Sequence, residues 1–217
     1  VALVFHSGCD LGDLGEWASS VGSPTVVETQ KKTGDYAMRC NTTGEAATAY
    51  VNYGSFVEQV SFYLYIASAP SVDCRILASP TSDLRLELTT DRYLKFYTNT
   101  GALRGTSSTQ LLLSTWYRIC VAFDASNNVY VYINGNLEIS GYAGLGVTYT
   151  YLGIITSCTA DLYFDDFAAG DTNSEADLGD IRVAAASPNA IGTYAQYDSV
   201  SGYTNVDEIP ANYADYI

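Results

Sequence analysis

The stretch ADLYFDDFAAGDT, residues 160–172, gathers Asp161, Asp165, Asp166 and Asp171 within a run of aromatic residues. Carboxylates at this density suit three kinds of chemistry. Two of them about 5 Å apart on one strand face could act as nucleophile and acid/base on a glycosidic bond. Several converging on one point could supply the hard oxygens that calcium takes. Alternating along a strand, they could simply solvate an edge. Neighbours on a strand project to opposite faces, so Asp165 and Asp166 cannot serve one site through their side chains unless the strand is bulged. Parity places Asp166 with Leu162 and Phe164 at the end of a core face, and turns Asp165 outward with Tyr163 and Phe167. A carboxylate at the core must be hydrogen-bonded or metal-bound. Two partners are therefore expected for Asp166: backbone amides of a neighbouring loop, or a calcium ion shared with Asp165, Asp10 and Asp13. The amino-terminal CDLGDLGEW supplies the last two, with Glu16 beside them. No cofactor is otherwise required.

Other catalytic sets are poorly supplied. EADLGD, residues 175–180, spaces Glu175, Asp177 and Asp180, but Gly179 and the Ser/Asn/Gly-rich surroundings make it a connection and not an alternating strand. His6 is the single histidine, next to Ser7 and near Cys9, and a lone histidine of this kind is an ordinary surface residue more often than a catalytic base. The five cysteines contain no C-x-x-C pair and are odd in number, which favours buried free thiols over a zinc cluster or a disulfide framework. The chain is expected not to be an enzyme.

Aromatic residues offer a different chemistry. Nineteen tyrosines are present, and Tyr63, Tyr65, Tyr130 and Tyr132 fall on the wetter face of their segments. Such rings can stack on sugars or pack against a protein partner. A net charge of −14 leaves no basic stripe to displace counterions, so nucleic acid is not expected as a partner. No apolar run reaches the ~18 residues of a spanning helix, so no membrane segment is expected.

These residues must be positioned by strands. Period-two alternation recurs along the chain, and helical periodicity is hard to find. In VSFYLYI (60–66), Phe62, Leu64 and Ile66 share one face; in DLRLEL, Leu84, Leu86 and Leu88 do. In WYRICVAF, Tyr117, Ile119, Val121 and Phe123 oppose Arg118 and Cys120, and in VYVYI, Val129, Val131 and Ile133 oppose Tyr130 and Tyr132. Asn134-Gly135 is a type I′ hairpin signal, and DASNN (124–128) is a longer polar turn. Short strands without intervening helices predict an all-β, antiparallel two-sheet sandwich over residues 1–186. Residues 187–217 lose the periodicity. They are expected to form an irregular arm that packs on the domain or on a neighbouring subunit through Tyr197, Tyr203, Tyr213 and Tyr216.

The order of segments resembles the laminin-G and concanavalin-A-like jelly roll. FHSGCDLGDLGEW is followed by GDYAMRC, by TWYRICVAFDASNNVYVYINGNLEISG and by LGIITSCTADLYFDDFAAGD. There a W-x-R-type strand precedes a V-x-V-Y-x-N-G hairpin, as in residues 115–141 here. Laminarinase-like glycosidases on that fold carry E-x-D-x-x-E on a strand, and EADLGD lacks the final Glu. The carboxy-terminal DDFAAGDT, LGDIRV and VDEIP further resemble virion structural proteins of tailed bacteriophages. That resemblance implies a non-enzymatic capsid decoration or tail-associated subunit, located on the virion, bound to other virion proteins and homo-oligomeric. A carbohydrate-binding, lectin-like adhesin module recognising host-surface glycans is the alternative, and a glycan-degrading enzyme comes third.

Overall fold

The computed structural model describes residues 3–79, 84–98, 100–142, 147–171 and 177–182. The arm residues Tyr197, Tyr203, Tyr213 and Tyr216, and Glu175, lie outside them. Among the described residues there are thirteen strands and no helix long and apolar enough to cross a membrane. In chain order the strands are β1 (Leu3–Ser7), β2 (Ser19–Val21), β3 (Thr25–Val27), β4 (Ala37–Val57), β5 (Gln59–Ser68), β6 (Cys74–Ala78), β7 (Arg85–Leu88), β8 (Leu94–Tyr97), β9 (Leu103–Thr106), β10 (Trp116–Phe123), β11 (Asn128–Ile133), β12 (Asn136–Tyr142) and β13 (Val147–Gly170).

All pairings are antiparallel, and the central path runs β12-β11-β10-β5-β13-β6-β7-β8-β9. Two long strands make this possible. β4 spans 21 residues and β13 spans 24, far beyond the usual strand length, and they pair with each other along almost their whole course. The amino-terminal half of β13 pairs with β6, and its carboxy-terminal half pairs with β5. One side therefore consists of β12, β11, β10, β5, the end of β13 with β1 paired to it, the start of β4 and β3; it is called the front sheet below. The other consists of β9 to β6 and the remaining halves of β13 and β4, with β2. The turn from one to the other is made by irregularities in the β13–β4 register between Ile154 and Thr159. Gly153 sits at that bend with φ +126, and a Cβ there would lie 2.4 Å from the Ala47 carbonyl oxygen. No other residue would fit.

The alternation seen in sequence fills the space between the two sides. Phe62, Leu64 and Ile66 on β5, Ile119, Val121 and Phe123 on β10, Leu86 and Leu88 on β7, and Leu162 on β13 are all fully buried. The Phe62 and Phe164 rings meet with centroids 6.0 Å apart. The predicted hairpin closes β11 on β12 with φ +51 at Asn134 and +85 at Gly135, as a type I′ turn requires. All five cysteines are buried free thiols. The architecture is an all-β, antiparallel jelly-roll sandwich of the concanavalin A-like kind.

Candidate functional site

Residues opposite each other on antiparallel strands share a face, so the register lays out the outer surface of the front sheet row by row. Trp116 on β10 pairs with Tyr65 on β5, Tyr65 with Tyr163 on β13, and Tyr163 with Arg39 on β4. The Tyr65 ring lies 5.3 Å from Trp116 and 5.7 Å from Tyr163, the second contact edge-to-face at 86°. The Arg39 guanidinium lies 5.3 Å over Tyr163. It also donates from Nε and Nη2 to the two oxygens of Asp161, at 2.9 and 2.8 Å. That hydrogen bonding raises the Arg39 pKa. Trp116, Tyr65, Arg39 and Asp161 are half-buried and Tyr163 is buried beneath Arg39, so the row is a shallow shelf whose accessible rings are Trp116 and Tyr65, edged by a bidentate ion pair.

The next row, Arg118–Tyr63–Asp165, is covered. Residues 177–182 cross it as a strap. Arg118 grips Asp177 with both Nη atoms and also donates to the Gly179 carbonyl at 2.7 Å. Tyr63 donates its hydroxyl to Asp180. Burial works to raise the Asp177 pKa, but the Arg118 hydrogen bonds outweigh it and hold the carboxyl below its ordinary value. The Tyr63 hydrogen bond does the same for Asp180. Burial and the Asp180 carboxylate push Tyr63 up to about 12. Asp177 and Asp180, the described members of the EADLGD set, are thus engaged in holding the strap.

Asp165 and Asp166 depart from the simple parity argument. The β13–β5 register slips between Asp165 and Ala168, and Asp166 takes φ +47, so the strand is bulged at this point. Asp165 does lie on the outer face, opposite Tyr63, yet it is only 3% exposed. The loop after β3 covers it. Its Oδ2 accepts from the amides of Lys32 and Thr33 at 2.7 and 3.2 Å, and its Oδ1 accepts from the Asp166 amide at 2.7 Å. Asp166 is buried too and accepts from the Thr33 hydroxyl at 2.6 Å. Amides of this loop thus serve Asp165, and a hydroxyl of the same loop serves Asp166. Burial, with the neighbouring Asp166 carboxylate adding to it, outweighs the amide donors and pushes Asp165 up to about 7.

Asp13 accepts from the Gly15 amide at 2.7 Å, as a turn-forming carboxylate does, and Asp10 accepts from the Asp35 amide of a distant loop at 2.9 Å. Among the described residues no group of three or more His, Cys, Asp or Glu side chains is placed to hold a metal ion. His6 is exposed, and Ser7 instead bonds Glu16 and Trp17.

Tyr130 and Tyr132 also belong to the outer face, opposite Ala122 and Cys120. They stand beyond Arg118 and the strap, and Tyr130 donates to Asp124 at 3.0 Å. The four tyrosines singled out in sequence therefore share one face but divide: Tyr65 is on the open shelf, Tyr63 is under the strap, and Tyr130 and Tyr132 are on the far side. Trp116, Tyr163 and Arg39 were missed as site residues, and Asp161 was read only as one of the four clustered carboxylates. The signal existed, since Trp116 has the parity of Arg118 and Tyr163 that of Asp165.

The fold is that of a concanavalin A-like β-sandwich. In keeping with that class, residues 51–151 match the family described as the concanavalin A-like lectin/glucanases superfamily. Solved structures with the same fold include the cellulose-induced protein Cip1, at a TM-score of 0.60 and 12% identity over 84% of this chain and 100% of that one. The binding domain of Paraclostridial mosquitocidal protein 1 aligns at a TM-score of 0.59 and 14% identity, over 79% of this chain and 49% of that one. Botulinum neurotoxin type C, whose passage into cells is dependent upon interaction with two ganglioside molecules, aligns at 0.52 and 14%, over 72% and 43%. The chain thus spans about half the length of the two toxin structures it matches. No curated protein matches it in sequence.

Proposed function

We propose that this chain is a non-catalytic, lectin-like carbohydrate-binding module that takes a neutral glycan on the outer face of the front sheet. The observation that carries this is the shelf Trp116–Tyr65–Tyr163 with the Arg39–Asp161 pair at its edge. Ring faces suit the C–H faces of a pyranose, and a fixed guanidinium–carboxylate pair offers donors and acceptors side by side for vicinal hydroxyls. The charges on the shelf cancel, and the chain as a whole is acidic, so a neutral saccharide is favoured over an anionic one. Of the toxin structures with the same fold, one is a binding domain and the other belongs to a neurotoxin whose cell entry depends upon two ganglioside molecules, which supports recognition over catalysis.

A glycan array with the whole chain, followed by calorimetry on the neutral saccharides it retains, tests this. Trp116→Ala and Tyr65→Ala should each weaken binding by about tenfold or more, the loss expected when a ring leaves the centre of a contact. Unaltered affinity in both variants, or no saccharide bound at all, would remove the proposal.

The phage-like carboxy-terminal motifs favour a second reading, compatible with the first, in which the module is carried on a virion and bound to other virion proteins. Detecting the chain in a purified particle tests it, and a particle lacking the chain would dismiss it.

A further inference from the structure

One end of the sandwich carries three exposed aliphatic side chains on loops that hydrogen bonds hold rigid. Val72, Leu112 and Leu113 are 51%, 56% and 44% exposed. Their loops join β5 to β6 and β9 to β10, and the turn between β7 and β8 ties them together. Thr90 donates its amide to Asp73, and Gln110 donates to the Asp91 carbonyl. Arg92 and Leu111 exchange two hydrogen bonds of 2.9 Å. The leucine loop is anchored at every step: Leu111 is fully buried, the Leu112 amide donates to the Tyr117 hydroxyl, and Ser108 and Thr109 make four hydrogen bonds to Glu138. Ser114 adopts φ +55 to complete the turn, a conformation unusual for serine, and donates its amide to the Ile66 carbonyl. Two adjacent leucines are thus displayed to solvent by a loop built to keep them there.

The position indicates what covers them. Ile66 follows Tyr65, and Trp116 comes three residues after Leu113, so the tip adjoins the ring shelf. Three aliphatic side chains are far too few for a stable protein interface, which needs about 1,200 Å² or more. They suit shallow insertion into the boundary between headgroups and acyl chains. The acid excess argues against recruitment by an anionic bilayer. Recruitment then falls to the neighbouring shelf, and the two weak contacts reinforce each other once one has formed.

We infer that this end of the sandwich docks on a membrane displaying neutral glycolipids, with the saccharide on Trp116 and Tyr65 and with Leu112, Leu113 and Val72 entering the apolar layer. The inference rests on the carbohydrate-binding reading. It adds a peripheral membrane contact to a chain in which no helix of the described residues is long and apolar enough to cross a membrane.

The test uses the whole chain and three probes: phosphatidylcholine vesicles, the same vesicles containing mixed neutral glycosphingolipids, and the free oligosaccharides released from those glycolipids. The expected result is binding to the glycolipid vesicles at least about tenfold tighter than to the free oligosaccharides, as apolar insertion adds to sugar contact. The double variant L112S/L113S should lose that advantage while keeping its affinity for the free oligosaccharides. Equal vesicle binding by wild type and L112S/L113S overturns the membrane contact and leaves the glycan reading standing. So does a wild-type dimer in sedimentation that L112S/L113S abolishes, which would assign the leucines to a second copy of the chain. Failure to bind vesicles and free oligosaccharides alike overturns both readings.

Discussion

Asp165 makes stability depend on pH in an unusual direction. Its pKa is about 7 in the folded chain against 3.8 for the free side chain, because burial outweighs three amide donors. The folded state therefore holds this proton more tightly than the unfolded state. Below pH 4 both states are protonated and the stabilisation is complete. Between pH 4 and 7 the unfolded chain ionises first, and stability falls by about 1.4 kcal/mol per pH unit. Above pH 7 the loss levels off near 4 kcal/mol in this order-of-magnitude account, about 3 kcal/mol of it between pH 5 and 8. Asp165→Asn isolates the effect. Either orientation of the amide turns its NH₂ toward at least one of the Lys32, Thr33 and Asp166 amides, an unmatched donor pair that costs about 1–3 kcal/mol at every pH. The slope, not the offset, carries the information. Urea unfolding of both proteins at pH 5, 6, 7 and 8 should give a stability difference, wild type minus variant, that shrinks by about 3 kcal/mol over the range. A difference constant to within about 0.5 kcal/mol would show that Asp165 ionises at an ordinary pH and that its three N–H donors, not burial, decide its state.

Two further outcomes follow from the same face of the sheet. Arg118→Ala leaves Asp177 facing a half-buried surface without its counter-ion and removes the Gly179 contact, and chemical denaturation should report a loss of about 2–3 kcal/mol, below the range for fully buried pairs because both side chains keep some solvent contact. The double variant Arg118→Ala/Asp177→Ala should recover part of that loss, and no recovery would mean that the ion pair does not hold the strap. Calcium, or its removal by a chelator, should leave the melting temperature unchanged, since the carboxylates of Asp165, Asp166, Asp10 and Asp13 accept hydrogen bonds from protein N–H and O–H groups. A rise of several degrees on adding calcium would instead assign these four residues as ligands.

The sandwich was legible in sequence because each alternating segment buries one face, and Phe62, Leu64, Ile66, Ile119 and Val121 leave no other choice of register. The lengths of β4 and β13 were not legible. Polar and small residues such as Thr42, Thr43, Gly44 and Gly153 interrupt the alternation where the strands bend, so the sequence breaks while the hydrogen bonding continues. The outward direction of Asp165 followed from parity, but its burial did not. That depends on a loop more than 130 residues away in sequence, whose amides come to it only in the folded chain. Trp116 and Tyr163 could have been placed beside Tyr65 by parity, yet which strands are neighbours is a matter of topology, and β13 and β10 both flank β5 only once the chain is folded.

The covered row and the open row belong to one arrangement. Strap and loop cover Arg118, Tyr63 and Asp165, and Lys32 from that loop places its ammonium 4.9 Å from the Tyr63 ring. The shelf next to them is therefore bounded on one side by fixed structure, while its rings are held by each other and by the Arg39–Asp161 pair. Rings already fixed in place lose little conformational freedom when a ligand arrives, so even a shallow contact can yield a useful affinity. A strap that crossed one row further along β5 would have buried Tyr65 and left no exposed aromatic surface between β10 and β13. Its seat on Arg118, one strand position from Trp116 on the same face, is what keeps the shelf open.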